Sequence, residues 1–249
     1  MTSRETVLIT GCSNGGIGYA LALLFQQRGF HVFATARDPS EMSNLNGLSN
    51  VTLLTLDVVN SAHIKAAVEA VAKQTGGTLN YLISNAGRNH FMPILDEDLE
   101  MIRNIFEINF MAPIALAQAF APLLIKAKGT YAASKKSIEI VAETLRLELA
   151  PFGVGVLEVV TGAVKTMGQT YFGNFQLLAQ SLDKSIEDII ANMVQGNGGL
   201  LRMDLMDYAV VVVDEIMKHT TGRFWYDNNA DSVKMGTTAT ALPQSALIS

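Results

Sequence analysis

Val7-Leu8-Ile9-Thr10-Gly11-Cys12-Ser13-Asn14-Gly15-Gly16-Ile17-Gly18 is the stretch that decides the fold. A short apolar run enters a glycine-rich turn, and Gly18 to Arg28 then follows a helical pattern closed by Gly29. Glycines between a first strand and a first helix allow a tight turn. They also let the backbone approach a pyrophosphate at the helix N-terminus. A merely flexible turn is the other reading, but its position directly after the first strand speaks against that.

Working outward, short β-branched or apolar runs alternate with helical patterns, the signature of a parallel sheet covered by helices. His31 to Ala36, Val51 to Leu56, Asn80 to Ser84, Val154 to Val160 and Arg223 to Tyr226 read as strands. Asp38-Pro39 reads as an N-cap with proline at the first helical position. Ser61 to Lys73, two stretches between about Asp96 and Lys126, Ala132 to Ala150 and Met206 to His219 read as helices. The segment from Thr161 to about Arg202 is irregular. No repeat or linker divides residues 1–249, so one three-layer α/β domain of dinucleotide-binding, Rossmann-like type is expected.

The chain has 249 residues, 49% hydrophobic and 16% charged, enough to bury a large core. A net charge of −5 without a Lys/Arg cluster argues against nucleic acid and anionic membranes as partners. Cys12 has no partner for an internal disulfide, which fits a reducing, cytoplasmic setting. The four histidines lack ligand spacing, so no metal site is expected. No signal-peptide pattern opens the chain. Ile108 to Ile125 carries no charge and approaches the length of a membrane span. Its Asn109, Gln118, Pro113, Pro122 and abundant Ala fit a buried helix better.

At the end of strand two an NAD site should carry an acidic residue for the ribose 2′-hydroxyl. Ala36 stands there, followed by Arg37, a cation suited to a 2′-phosphate, so NADP(H) is expected over NAD(H). A solvated surface Arg is the bland alternative.

Thr10–Gly18, Asn85-Ala86-Gly87, Asn109 and the Tyr131–Lys135 pair, in this order, resemble the short-chain dehydrogenase/reductase family. The glycine turn is one residue longer than usual, and Thr161-Gly162 replaces the usual Pro-Gly. Both departures look like a fungal subgroup similar to NADPH-dependent 1-acyldihydroxyacetone-phosphate reductase. The resemblance implies cofactor contacts from Gly11, Ser13, Gly16, Ile17 and Gly18 of the turn, from Asn85 and Gly87 after strand four, and from Asp57 at the adenine. It implies Val164 and Thr166 at the nicotinamide carboxamide, and Tyr131 and Lys135 at both cofactor and substrate. Asn109 would hold a water in a proton relay; a helix-interior Asn satisfying backbone is its other reading. The implied activity is interconversion of a carbonyl and an alcohol, and a homo-oligomer formed through the helices beside Tyr131 is implied too.

The chemistry accounts for the pair. A free Tyr titrates near pH 10, too high for proton exchange at neutrality, and a Lys at i+4 on the same helix face favours the phenolate. The family also places a Ser at the end of strand five, and nothing here occupies that place; Thr130 and Ser134 are poor substitutes. Only Ala127–Thr130 separate one helix from the next, an extended reach of about 13–14 Å against a sheet crossing of about 17–20 Å. Either the preceding helix unwinds to supply strand five, or Tyr131 leaves its site. Strand five is therefore expected to be perturbed or absent, with a degenerate, non-catalytic member or truncated gene product that only binds cofactor or a partner as the alternative function. Phe91, Met92, Tyr171, Phe172 and Phe175 suggest an apolar acyl, polyketide or terpenoid substrate, or simply pack a lid.

Overall fold

The structure is a computed structural model describing residues 4–133, 139–181, 183–199, 201–226, 230 and 234. Seven parallel strands form one sheet in the order β3-β2-β1-β4-β5-β6-β7. They are β1 Thr6–Thr10, β2 His31–Ala36, β3 Val51–Thr55, β4 Tyr81–Ser84, β5 Thr130–Ala133, β6 Gly155–Thr161 and β7 Gly222–Tyr226. Val7, Leu8 and Ile9 are fully buried, as befits a strand covered on both faces. On one face, α1 (Ile17–Gln27) and a late helix Leu205–Met217 pack over Ile9, Ile83 and Val159. On the other, α2 (Ser61–Thr75) and Ala112–Ala127 cover Leu8, Phe33 and Leu82. This is the expected three-layer, Rossmann-like architecture.

Local signals hold well up to residue 127. Asp38 accepts a hydrogen bond from the Ser40 amide at 2.8 Å, so it caps the turn that Pro39 begins. Asn60 caps α2, which Gly76 ends in the left-handed conformation. The helical stretch after β4 runs as α3 (Leu99–Phe106), a π-helical turn Glu107–Met111, and α4 (Ala112–Ala127). Leu99–Ala127 is long and apolar enough to cross a membrane by length and composition. Its α4 part, however, buries Leu116, Phe120, Leu123 and Leu124 against the sheet and is a core helix.

The junction resolves in a way that departs from the expected helix Ala132 to Ala150. Helix α4 does not unwind. It runs to Ala127 and closes with Lys128 in the left-handed region, the Lys128 amide bonding Ile125 O at 3.1 Å and Gly129 N bonding Leu124 O at 2.9 Å. A Cβ on Gly129 would stand 2.4 Å from Asn80 O, so only glycine lets the chain turn straight from α4 into the sheet. Strand five then begins at Thr130 and uses Tyr131, Ala132 and Ala133. It pairs with β4 (Leu82 with Tyr131) and with β6 (Tyr131 with Val156). The strand is thus present, though only four residues long. The perturbation lies in its composition: it is made of the residues expected to start the next helix. That helix, α5, spans Glu139–Leu149. Among the described residues the later α-helices are α6 (Glu187–Val194) and α7, the Leu205–Met217 helix named above.

Candidate active site

Strand order reverses direction between β1 and β4, and the loops leaving these two strands face each other across that switch point. The β1 loop is the glycine turn. A Cβ on Gly18 would lie 2.3 Å from Gly11 O and 2.6 Å from Asn85 Nδ2, so glycine is required where α1 packs on the turn. Asn85 Nδ2 donates to the carbonyls of Thr10 (2.8 Å) and Gly11 (3.1 Å). Thr10 Oγ1 returns the tie by accepting from the amides of Asn85 and Ala86, both at 3.0 Å. The two loops form one braced unit.

Helix α1 starts at Gly16 with no side-chain cap and no acidic residue in its first turn. An uncapped positive helix end behind a glycine-rich turn fits a pyrophosphate, and the residues present therefore suit a dinucleotide. Gly11, Ser13 and Gly16 belong to this turn, and Ile17 and Gly18 open α1. Arg37 is exposed just past β2, and Asp57 is half-buried two residues past β3, its Oδ1 accepting from Val59 N at 3.2 Å. Gly87 follows Asn85 on the exposed part of its loop. Val164 is buried and bridges to Met203; Thr166 caps the turn that follows by accepting from Gly168 N at 3.2 Å.

Asn109 sits inside the π-helical turn, a local distortion common at functional sites. The distortion turns its amide to the loop after β4 rather than to its own helix. Oδ1 accepts from Arg88 N at 2.9 Å and Nδ2 donates to Arg88 O at 2.8 Å. Asn109 thus satisfies backbone from inside a helix, and the backbone it serves is that of the β4 loop.

Tyr131 is the main correction. It is fully buried in β5 on the α2/α4 side of the sheet, its hydroxyl donating to Pro113 O at 3.3 Å. Burial pushes the phenol above its ordinary pKa, only partly countered by a hydrogen bond with Ser84. The proton-relay role needs the opposite shift. Lys135, its expected partner, lies outside the described residues.

Two contacts at the site, Glu41 with Ser13 and His90 with Glu97, were not foreseen. Glu41 accepts from Ser13 Oγ at 2.6 Å, putting a carboxylate beside the glycine turn. Its place three residues past the Asp38 cap was the available signal. Beyond Asn109, a pocket of about 360 Å³ is lined by Arg88, His90, Phe91, Glu97, Ile105 and Asn109 among others. His90 Nε2 pairs with Glu97 Oε2 at 2.9 Å, and Phe91 meets Phe172 edge-on at 5.4 Å. Among the described residues no group of three potential metal ligands occurs.

Known proteins place this arrangement. The short chain dehydrogenase family model matches residues 5–130, stopping at the junction. Short-chain dehydrogenase PC-15 of Penicillium crustosum is 46% identical over 237 residues, covering 88% of this chain and 87% of that protein. The NADPH-dependent 1-acyldihydroxyacetone phosphate reductase of Schizosaccharomyces pombe is 42% identical over 188 residues, covering 68% and 63%. In fold, the chain is similar to a short-chain dehydrogenase from Streptomyces avermitilis, with a TM-score of 0.79 at 24% identity and 96% of both chains covered. A parallel sheet with its cradle at the β1/β4 switch point and relatives of this closeness lead to one assignment: the chain belongs to the short-chain dehydrogenase family of oxidoreductases.

Proposed function

We propose that this chain is an NADP(H)-dependent oxidoreductase that interconverts a carbonyl and an alcohol on an apolar small molecule. The observation that carries the reading is the intact nucleotide cradle: an uncapped α1 braced through Asn85 to the glycine turn. The turn would hold the pyrophosphate, Asp57 the adenine, and Arg37 a 2′-phosphate. When bound, the cofactor supplies or accepts a hydride at the substrate carbon. Asn109 and Asn85 keep the β4 loop in place beside it, and Val164 with Thr166 would orient the carboxamide. The Schizosaccharomyces pombe relative is NADPH-dependent by name, in line with this choice. Phe91, Phe172, Ile102 and Ile105 offer an apolar lining for the substrate.

Cofactor fluorescence titration tests it. NADPH is expected to bind more tightly than NADH, and Arg37→Ala to lower NADPH affinity about tenfold or more, one charge-assisted contact contributing about 1.5–3 kcal/mol. Equal affinities, or an unchanged preference in Arg37→Ala, reject NADP(H). Glu41→Gln is expected to act oppositely, because it removes a carboxylate from the neighbourhood of the 2′-phosphate.

The burial of Tyr131 favours a second reading, a chain that binds cofactor without turnover. NADPH binding with no oxidation across a panel of apolar ketones would select it.

A further inference from the structure

We infer that Glu41 is a second reader of the cofactor's adenosine ribose, an acceptor for the 2′-hydroxyl of NAD(H), so that this chain takes both nicotinamide dinucleotides; the inference rests on the dinucleotide reading of the cradle above. In a fold of this type the ribose 2′ position faces the end of β2, and a carboxylate there takes its hydroxyl. Ala36 and Arg37 leave that place without an acid, and Asp38 commits its carboxylate to the Ser40 amide. The chain supplies an acid from further on. The segment Pro39–Leu45 folds back on the glycine turn, anchored by Met42 and Leu45, both fully buried. Asn14 N donates to Glu41 O at 2.8 Å, Asn14 Nδ2 to Ser43 Oγ at 2.9 Å, and Asn44 N to Asn14 Oδ1 at 3.3 Å. These bonds hold the Glu41 backbone against the turn, between the loop that takes the pyrophosphate and the strand end that faces the ribose.

Two features make the carboxylate more than a brace. Oε2 accepts from Ser13 Oγ at 2.6 Å, and among the described residues the exposed Glu41 side chain has no other partner. A carboxylate has room for about four hydrogen bonds, so its second oxygen is open to a ligand. Arg37, also exposed, makes no ion pair among the described residues. A cation and an anion that do not neutralise each other leave each form of the ribose a partner. A 2′-phosphate is drawn to Arg37 and repelled by Glu41, whereas a 2′-hydroxyl donates to Glu41 and gains nothing from Arg37. NADPH stays the tighter ligand, because a dianion on a guanidinium outweighs one hydroxyl bond, and Glu41 narrows the margin. A brace of the turn would use the same Ser13 contact but would serve both cofactors alike.

Calorimetry on the full chain and on Glu41→Gln, Arg37→Ala and the double variant tests this. The ligands are NADPH, NADH, and the fragments adenosine 2′,5′-bisphosphate and 5′-AMP, which differ only at the 2′ position. Gln can still accept from Ser13, so the turn keeps its brace while the charge is lost. Glu41→Gln is expected to weaken NADH and 5′-AMP about tenfold and to tighten NADPH and the bisphosphate. Arg37→Ala should turn the preference towards NADH, and the double variant should bind both dinucleotides with near-equal affinity. No NADH binding in the unmodified chain, unchanged NADH and 5′-AMP affinity in Glu41→Gln, or equal weakening of all four ligands overturns the inference. NADPH no tighter than NADH, with NADH still weakened in Glu41→Gln, strikes the NADP(H) preference and leaves the role of Glu41 standing, so the two failures are separable.

Discussion

Tyr131 carries its phenol among Leu82, Leu124 and Val156 on the buried side of the sheet. At this place the ring works as a core residue, and the hydroxyl is a polar group kept satisfied by Pro113 O and Ser84. Tyr131→Ala is expected to destabilise the chain by about 3–5 kcal/mol, the cost of emptying a buried aromatic site. Tyr131→Phe should cost only about 1 kcal/mol, since one hydrogen bond is lost and the shape is kept. Urea unfolding midpoints at constant slope measure both. A functional Tyr at a helix start would give the reverse pattern, with little stability change and a large loss of turnover in Tyr131→Phe.

The element that distinguishes this chain is β5, and its composition conflicts with its conformation. Thr-Tyr-Ala-Ala begins with good strand formers but ends in two alanines, which strands disfavour. Ala132 also leaves a small cavity of about 20 Å³ under the sheet, beside Ile83, Val159 and Val212. A graft that inserts a strand-five segment ending in Ser between Thr130 and Tyr131 should release Tyr131 to begin α5. With one oxyanion-type donor restored, kcat for NADPH oxidation is expected to rise about 10²–10³-fold, and only in the graft should Tyr131→Phe abolish activity. Equal rates in graft and parent would show that the proton donor lies elsewhere in both.

For the whole molecule, the cradle and the sheet form one continuous unit through β1 and β4, so cofactor binding should be felt as global stability. At 100 times its dissociation constant a ligand contributes about 2.7 kcal/mol, and a chain of this size gains about 2–4 °C per kcal/mol. NADPH is therefore expected to raise the thermal midpoint by about 5–10 °C, even if turnover is slow. Calorimetry with and without cofactor checks this, and Gly18→Ala should lose the shift, because its Cβ would collide with Gly11 O and Asn85.

Much of this was legible in the chain. Val7–Gly18, the strand and helix alternation to residue 127, the Asp38 cap and the Asn85 loop follow from local periodicity, capping and turn chemistry, which neighbours in sequence determine. The contact of Glu41 with Ser13 and the His90–Glu97 pair were not legible, because each depends on how two loops approach in space. The place of Tyr131 was decided by tertiary structure alone. Leaving a gap between β4 and β6 would strand buried N–H and C=O groups at about 1–3 kcal/mol each. Helix preference is worth at most about 0.7 kcal/mol per ordinary residue. With four residues paired on both sides, the sheet wins, and a segment written as the start of a helix becomes one of its inner strands.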